Sequence, residues 1–117
     1  MSNIVGRGSK TTKEVTMKFF RVIFEVLSKN SSKKYAFVAL KNMQKRLAKE
    51  FKFFKLIKIG GGKIVVHDAI NSIGARNIKN LFIKIIDLLG PDFLKLLIRE
   101  KMDSEDIKFL NRIGVRF

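Results

Sequence analysis

The sequence predicts a mainly α (α+β) protein of about five helices with one central β-hairpin, and three observations predict it. Apolar residues recur at helical spacing in several segments, Gly60-Gly61-Gly62 stands between two short β-branched runs, and Gly90-Pro91 ends one helix and starts another. At 117 residues with 46% of them hydrophobic, the chain holds enough apolar material for one core and is short for two. The expected organisation is a flexible basic arm over residues 1–11 and a single compact domain over 12–117.

Taken in order, Thr12 is placed to cap a first helix running to about Ser28. Val15, Phe19, Val22, Ile23, Val26 and Leu27 form its apolar face, widened by Phe20 and Phe24. On the opposite stripe Glu14–Lys18 and Arg21–Glu25 are spaced to pair at i,i+4. Ser31 or Ser32 caps a second helix, expected to extend to about Phe54, with Ala36, Leu40, Met43, Leu47, Phe51 and Phe54 inward. Leu56, Ile57 and Ile59, the three glycines, then Ile64, Val65 and Val66 read as the hairpin, its turn open to positive φ. A short helix over Asp68 to Ile73 and a longer one over Arg76 to Leu89 follow, the latter with Ile78, Leu81, Phe82, Ile85, Ile86 and Leu89 inward. After Gly90-Pro91 comes a helix carrying Phe93, Leu94, Leu96, Leu97, Ile98 and Met102. Asp103 or Ser104 caps the last, with Ile107, Leu110 and Ile113, closed by Gly114.

Charge carries the functional signal. The chain has 25 Lys and Arg against 10 Asp and Glu, net +15. Residues 1–66 hold sixteen basic and three acidic side chains, residues 67–117 nine and seven. A field this lopsided steers polyanions to one side of a protein. Eighteen of the basic residues are Lys, which favours point-charge contact with a phosphate backbone over bidentate reading of bases by Arg. The candidate contacts are Lys34, Lys41, Lys45, Arg46, Lys49 and Lys52 along the second helix, then Lys55, Lys58 and Lys63 on and around the hairpin. Asn42, Gln44 and Arg46 are the candidates for base-edge contact.

Other chemistry is thinly represented. There is no Cys, so disulfides, thiolate catalysis and Cys-based metal sites are excluded. Gly6-Arg7-Gly8-Ser9-Lys10-Thr11-Thr12 lacks the Gly spacing and the preceding strand of a phosphate-binding P-loop and reads as part of the arm. The one His, His67, has only Asp68 beside it, which does not make a catalytic or metal site. Asp92, Asp103, Glu105 and Asp106 stand in first turns of helices, where negative charge is favourable. No catalytic residue, cofactor or metal is expected, and the chain reads as a non-enzyme. Met1 to Lys10 has no apolar leader pattern and no apolar run approaches the roughly 20 residues of a membrane span, so the expected location is the cytoplasm.

The order helix, basic helix, Gly-tipped hairpin over about residues 12–67 resembles the winged-helix variant of the helix-turn-helix class. That resemblance implies Tyr35 to Lys52 as the recognition helix and Lys58 to Lys63 as the wing. The sequence departs from the pattern in offering only Lys29 to Ser32 where a short helix normally precedes the recognition helix, and in the length of the second helix. The leading expectation is a nucleic-acid-binding protein, DNA first and RNA second. The alternative is a small basic subunit docking on an acidic protein partner. The apolar stretch Leu81 to Met102 suggests a homodimer or larger assembly through the C-terminal helices.

Overall fold

Thr11 and Glu14 start the first helix, α1 (Thr12–Lys29). The Thr11 N–H donates to Glu14 Oε1 at 2.9 Å and the Glu14 N–H donates to Thr11 Oγ1 at 3.1 Å. This is a reciprocal capping box, so the cap is Thr11 and not Thr12, because only Thr11 has a glutamate three positions on. The computed structural model describes residues 10–29 and 31–116. The remaining elements are α2 (Lys33–Leu47), β1 (Ile57–Gly60), β2 (Lys63–Val66), α3 (Ala75–Leu89), α4 (Pro91–Lys101) and α5 (Ser104–Ile113), with 3₁₀ turns at Lys52–Leu56 and Asp68–Ser72. The fold is mainly α with one antiparallel hairpin. Most of the expected arm, residues 1–9, lies outside the described residues; its last two residues, Lys10 and Thr11, are held by side-chain contacts.

Ser32 caps α2, its hydroxyl accepting from the Tyr35 N–H at 3.1 Å. The helix ends at Leu47, well short of the expected Phe54. Phe51 and Phe54 are both buried, and a straight helix would have carried them outward along its axis. Instead the chain leaves helical geometry at Phe51, at φ −116° and ψ 86°, and folds back as a 3₁₀ turn that returns both rings to the core. The hairpin pairs Ile57 with Val66, Lys58 with Val65, Ile59 with Ile64 and Gly60 with Lys63. Gly61 and Gly62 form its two-residue loop at φ +58° and +75°, the positive pair a tight hairpin turn of matching twist requires.

The segment after the hairpin is a 3₁₀ turn where a short helix was expected, and Gly74 stands at the N-cap of α3. Gly90 and Pro91 separate α3 from α4 as the sequence indicates. A full capping box between Asp103 and Asp106 starts α5, and Gly114 in the left-handed region closes it. Side chains from all five helices, the hairpin and the 3₁₀ turns meet in one core. Phe19 of α1 stacks on Phe82 of α3, centroids 4.1 Å apart and planes 12° apart, and Phe20 meets Phe54 at 5.7 Å. Phenylalanine thus joins the front of the chain to its back, and α1 is the shared support for α2, β2, α4 and α5.

Candidate nucleic-acid interface

The basic side chains are set by the way α2 and β1 meet. Ala36, Leu40, Met43 and Leu47 bury one face of α2. Helical spacing therefore turns Lys34, Lys41 and Lys45 outward in one stripe. Arg46 lies further round the helix. Lys49 follows in the turn after α2, Lys52 and Lys55 are on the 3₁₀ turn, Lys58 is on β1 and Lys63 on β2. All nine are exposed. In β1 the burial alternates, Ile57 and Ile59 inward and Lys58 outward, as a half-buried strand requires.

Among the described residues, none of these nine cations has a carboxylate within salt-bridge distance. The three front-half acids are all turned elsewhere. Glu14 caps α1, Glu25 meets Lys101 at 3.2 Å and Glu50 faces Lys84 at 3.9 Å. The expected Glu14–Lys18 and Arg21–Glu25 pairs are therefore not formed, because each glutamate has a better-placed partner outside the helical stripe. Arg21 instead stands between the hairpin groove and the cleft beside Lys10, lining both. The paired lysines of the front half are Lys10, at 3.3 Å from Asp103 and 3.5 Å from Asp106, and Lys13, at 2.6 Å from Asp68.

Two grooves flank the hairpin tip. One, of about 540 Å³, is lined by Lys33, Lys34 and Lys41 with Val38 and Gly60 to Gly62. The other, of about 360 Å³, is lined by Arg21 and Lys63 with Ile64 and Val65. Phe24, Phe37 and Gly62 belong to the walls of both. Lys41 lies close to the glycine turn: a side-chain carbon at Gly60 would come within 3.5 Å of its Nζ. Lys55 and Lys58 gather separately, around a more apolar hollow with Leu56, Val65 and His67. The structure thus brings Lys34, Lys41 and Lys63 to the hairpin tip and Lys55 and Lys58 to the strand face. Lys45, Arg46, Lys49 and Lys52 line neither hollow.

Lys33, Arg21, Phe24 and Phe37 escaped the sequence reading. Lys33 adjoins Lys34 in sequence and so was open to inspection. Arg21 was masked by its apparent pairing with Glu25, and Phe24 by its place on the apolar face of the first helix. Gln44, a candidate base reader, is instead half-buried, its Nε2 donating to the carbonyls of Phe54 at 3.0 Å and of Ile57. His67 Nδ1 accepts the Ala69 N–H at 2.9 Å and so caps the second 3₁₀ turn.

At the opposite end of α1, burial raises the Asp106 carboxyl above its usual value, while the Asp106 backbone N–H and then Lys10 hold Asp103 below its own. Burial alone would lower Lys10, but the Asp106 and Asp103 carboxylates outweigh it and raise it above 10.5. That cleft, with Glu14, Asp103 and Asp106 in its wall, is of mixed charge and does not suit an anion. No helix among the described residues is long and apolar enough to cross a membrane. Comparison with protein-family models, with curated proteins and with solved structures gives no match for this chain.

Proposed function

We propose that this chain is a non-enzymatic nucleic-acid-binding protein, DNA first and RNA second, that grips the phosphate backbone with α2, the 3₁₀ turn after it and the hairpin. One observation carries the reading: among the described residues, nine exposed cations on adjoining elements have no carboxylate at salt-bridge distance, while the acids of the same half are engaged elsewhere. Exposed lysines without a neighbouring carboxylate attract a polyanion, which releases its own counterions on binding. In the winged-helix comparison the hairpin would act as the wing, with Lys58 and Lys63 against the backbone.

The test is a duplex-DNA titration across a range of salt. Binding should be measurable at low salt, and log K should fall by about 0.9 for each phosphate contact. The triple reversal Lys41→Glu, Lys45→Glu and Lys49→Glu should abolish it with the circular-dichroism spectrum intact. Absence of low-salt binding by the native chain to DNA and RNA alike would refute the reading.

A second reading, a subunit that assembles through its C-terminal helices, rests on a different surface. Leu88, Phe93 and Leu96 are exposed at the α3–α4 corner, Phe93 and Leu96 each by 58%. Paired large apolar side chains at that exposure suit contact with another protein surface.

A further inference from the structure

The two grooves beside the hairpin tip share Phe24, Phe37 and Gly62, so they meet over one aromatic pair. The rings are half-buried, with centroids 4.5 Å apart and planes tilted by 41°. Among the described residues no carboxylate lines either groove, in contrast with the cleft beside Lys10. One rim carries Arg21 and Lys63, the other Lys33, Lys34 and Lys41, and Gly62 of the hairpin loop lines both grooves.

We propose that this channel is a site for single-stranded nucleic acid, in which an unpaired base lies against Phe24 and Phe37 while flanking phosphates meet the two basic rims. This rests on the nucleic-acid reading above and specifies its ligand. A cationic rim alone would suit any polyanion. The aromatic floor between two such rims separates the cases, because every base has a π-face and a backbone-only ligand has none. A duplex keeps its bases stacked inside and outside the reach of a recessed floor, so it can touch the rims and nothing below them. The missing Cβ atoms of Gly61 and Gly62 leave the loop low, and nothing lies within 4 Å of where those atoms would stand. A backbone can approach there closely.

The experiment compares three labelled ligands of equal phosphate count, about twenty nucleotides each, so that the duplex, one strand folded back on itself, has enough base pairs to stay closed while the single strand still spans a single-strand site. They are a single strand, the same strand with abasic sites in place of its central bases, and a duplex. The abasic strand keeps its phosphates and loses its rings, so no protein variant is needed. The single strand should bind about tenfold or more tighter than the abasic strand. The duplex should fall with the abasic strand. Running the set in DNA and in RNA identifies the natural strand as the tighter one, and the base requirement must hold for it. Phe37→Leu keeps an apolar side chain and removes one of the two π-faces; it should reduce the preference for intact bases over abasic ones. Equal binding of intact and abasic strands would overturn the channel and leave the basic surface standing. No binding of any ligand at low salt would overturn both.

Discussion

Gln44 in the middle of α2 holds the carbonyl of Phe54, ten residues later, with a 3.0 Å hydrogen bond from Nε2, and the same amide nitrogen reaches the carbonyl of Ile57. The contact closes the 3₁₀ turn against the helix and fixes where β1 begins. One carbonyl precedes the hairpin and the other belongs to the first residue of β1, so this one amide sets the angle at which Lys58 and the glycine loop stand beside α2.

Replacing Gln44 by Leu should therefore act on stability. Two carbonyls lose their side-chain donor in a half-buried position, which costs about 1–3 kcal/mol. Chemical denaturation measures this, and the midpoint should fall while binding preference among DNA sequences stays as it was. A base-reading glutamine would behave the other way, with stability kept and preference altered.

The unpaired lysines should be separable from the paired ones by salt dependence. Lys41→Ala should reduce the slope of log K against log salt by about 0.9 on duplex DNA, or about 0.7 on a single strand. Lys13→Ala removes a cation already held by Asp68 at 2.6 Å, and should leave the slope nearly unchanged. Equal slope changes for the two would show that the ion pairs do not distinguish the faces.

The sequence made most of this fold legible, and the reasons differ by element. α3 was the clearest, because Ile78, Leu81, Phe82, Ile85 and Ile86 keep one helical period over the whole segment and all five are buried. The hairpin was legible from its three glycines, and the α3–α4 corner from Gly90-Pro91. The end of α2 was not. Phe51 and Phe54 continue the helical period of Leu40 and Leu47, so periodicity alone extends the helix past the point where the chain turns. What ends it is tertiary: the hold of Gln44 on a later segment, and core space for two rings that only the folded-back turn supplies. The basic surface was legible as composition, and its pairing state was not. Glu25 sits four residues from Arg21 yet meets Lys101, and that choice depends on where α4 packs.

Acid should weaken the start of α1 through Glu14. The Thr11 backbone N–H, and then its hydroxyl, hold this carboxyl below its usual 4.5 in the folded chain. A carboxyl with a lowered folded value contributes stability that is present above its unfolded value and is lost as pH falls through the folded one. Unfolding free energy should thus decline as pH drops below about 4.5, with Asp68, held down by Lys13, adding in the same direction. Glu14→Gln keeps an oxygen for the Thr11 N–H and cannot titrate. Its stability should be close to that of the native chain at low pH, with the deficit opening as pH rises. A deficit independent of pH would remove the carboxylate from the cap.

Self-association, if the α3–α4 corner is an interface, should follow from charge as well as apolar area. The chain carries +15 overall, but residues 67–117 contribute only nine basic against seven acidic side chains. Two copies meeting through Leu88, Phe93 and Leu96 would bring together the nearly neutral halves and keep the basic faces apart. Added salt should then leave the dimer intact or strengthen it while weakening nucleic-acid binding, an opposite response of two sites on one chain. Phe93→Glu with Leu96→Lys should give a monomer at every concentration in sedimentation velocity. Both side chains are mostly outside the core, so the unfolding midpoint should move little. A native chain that stays monomeric as its concentration rises would instead assign the corner to a different partner protein or leave it as plain surface, and would confine function to the basic half.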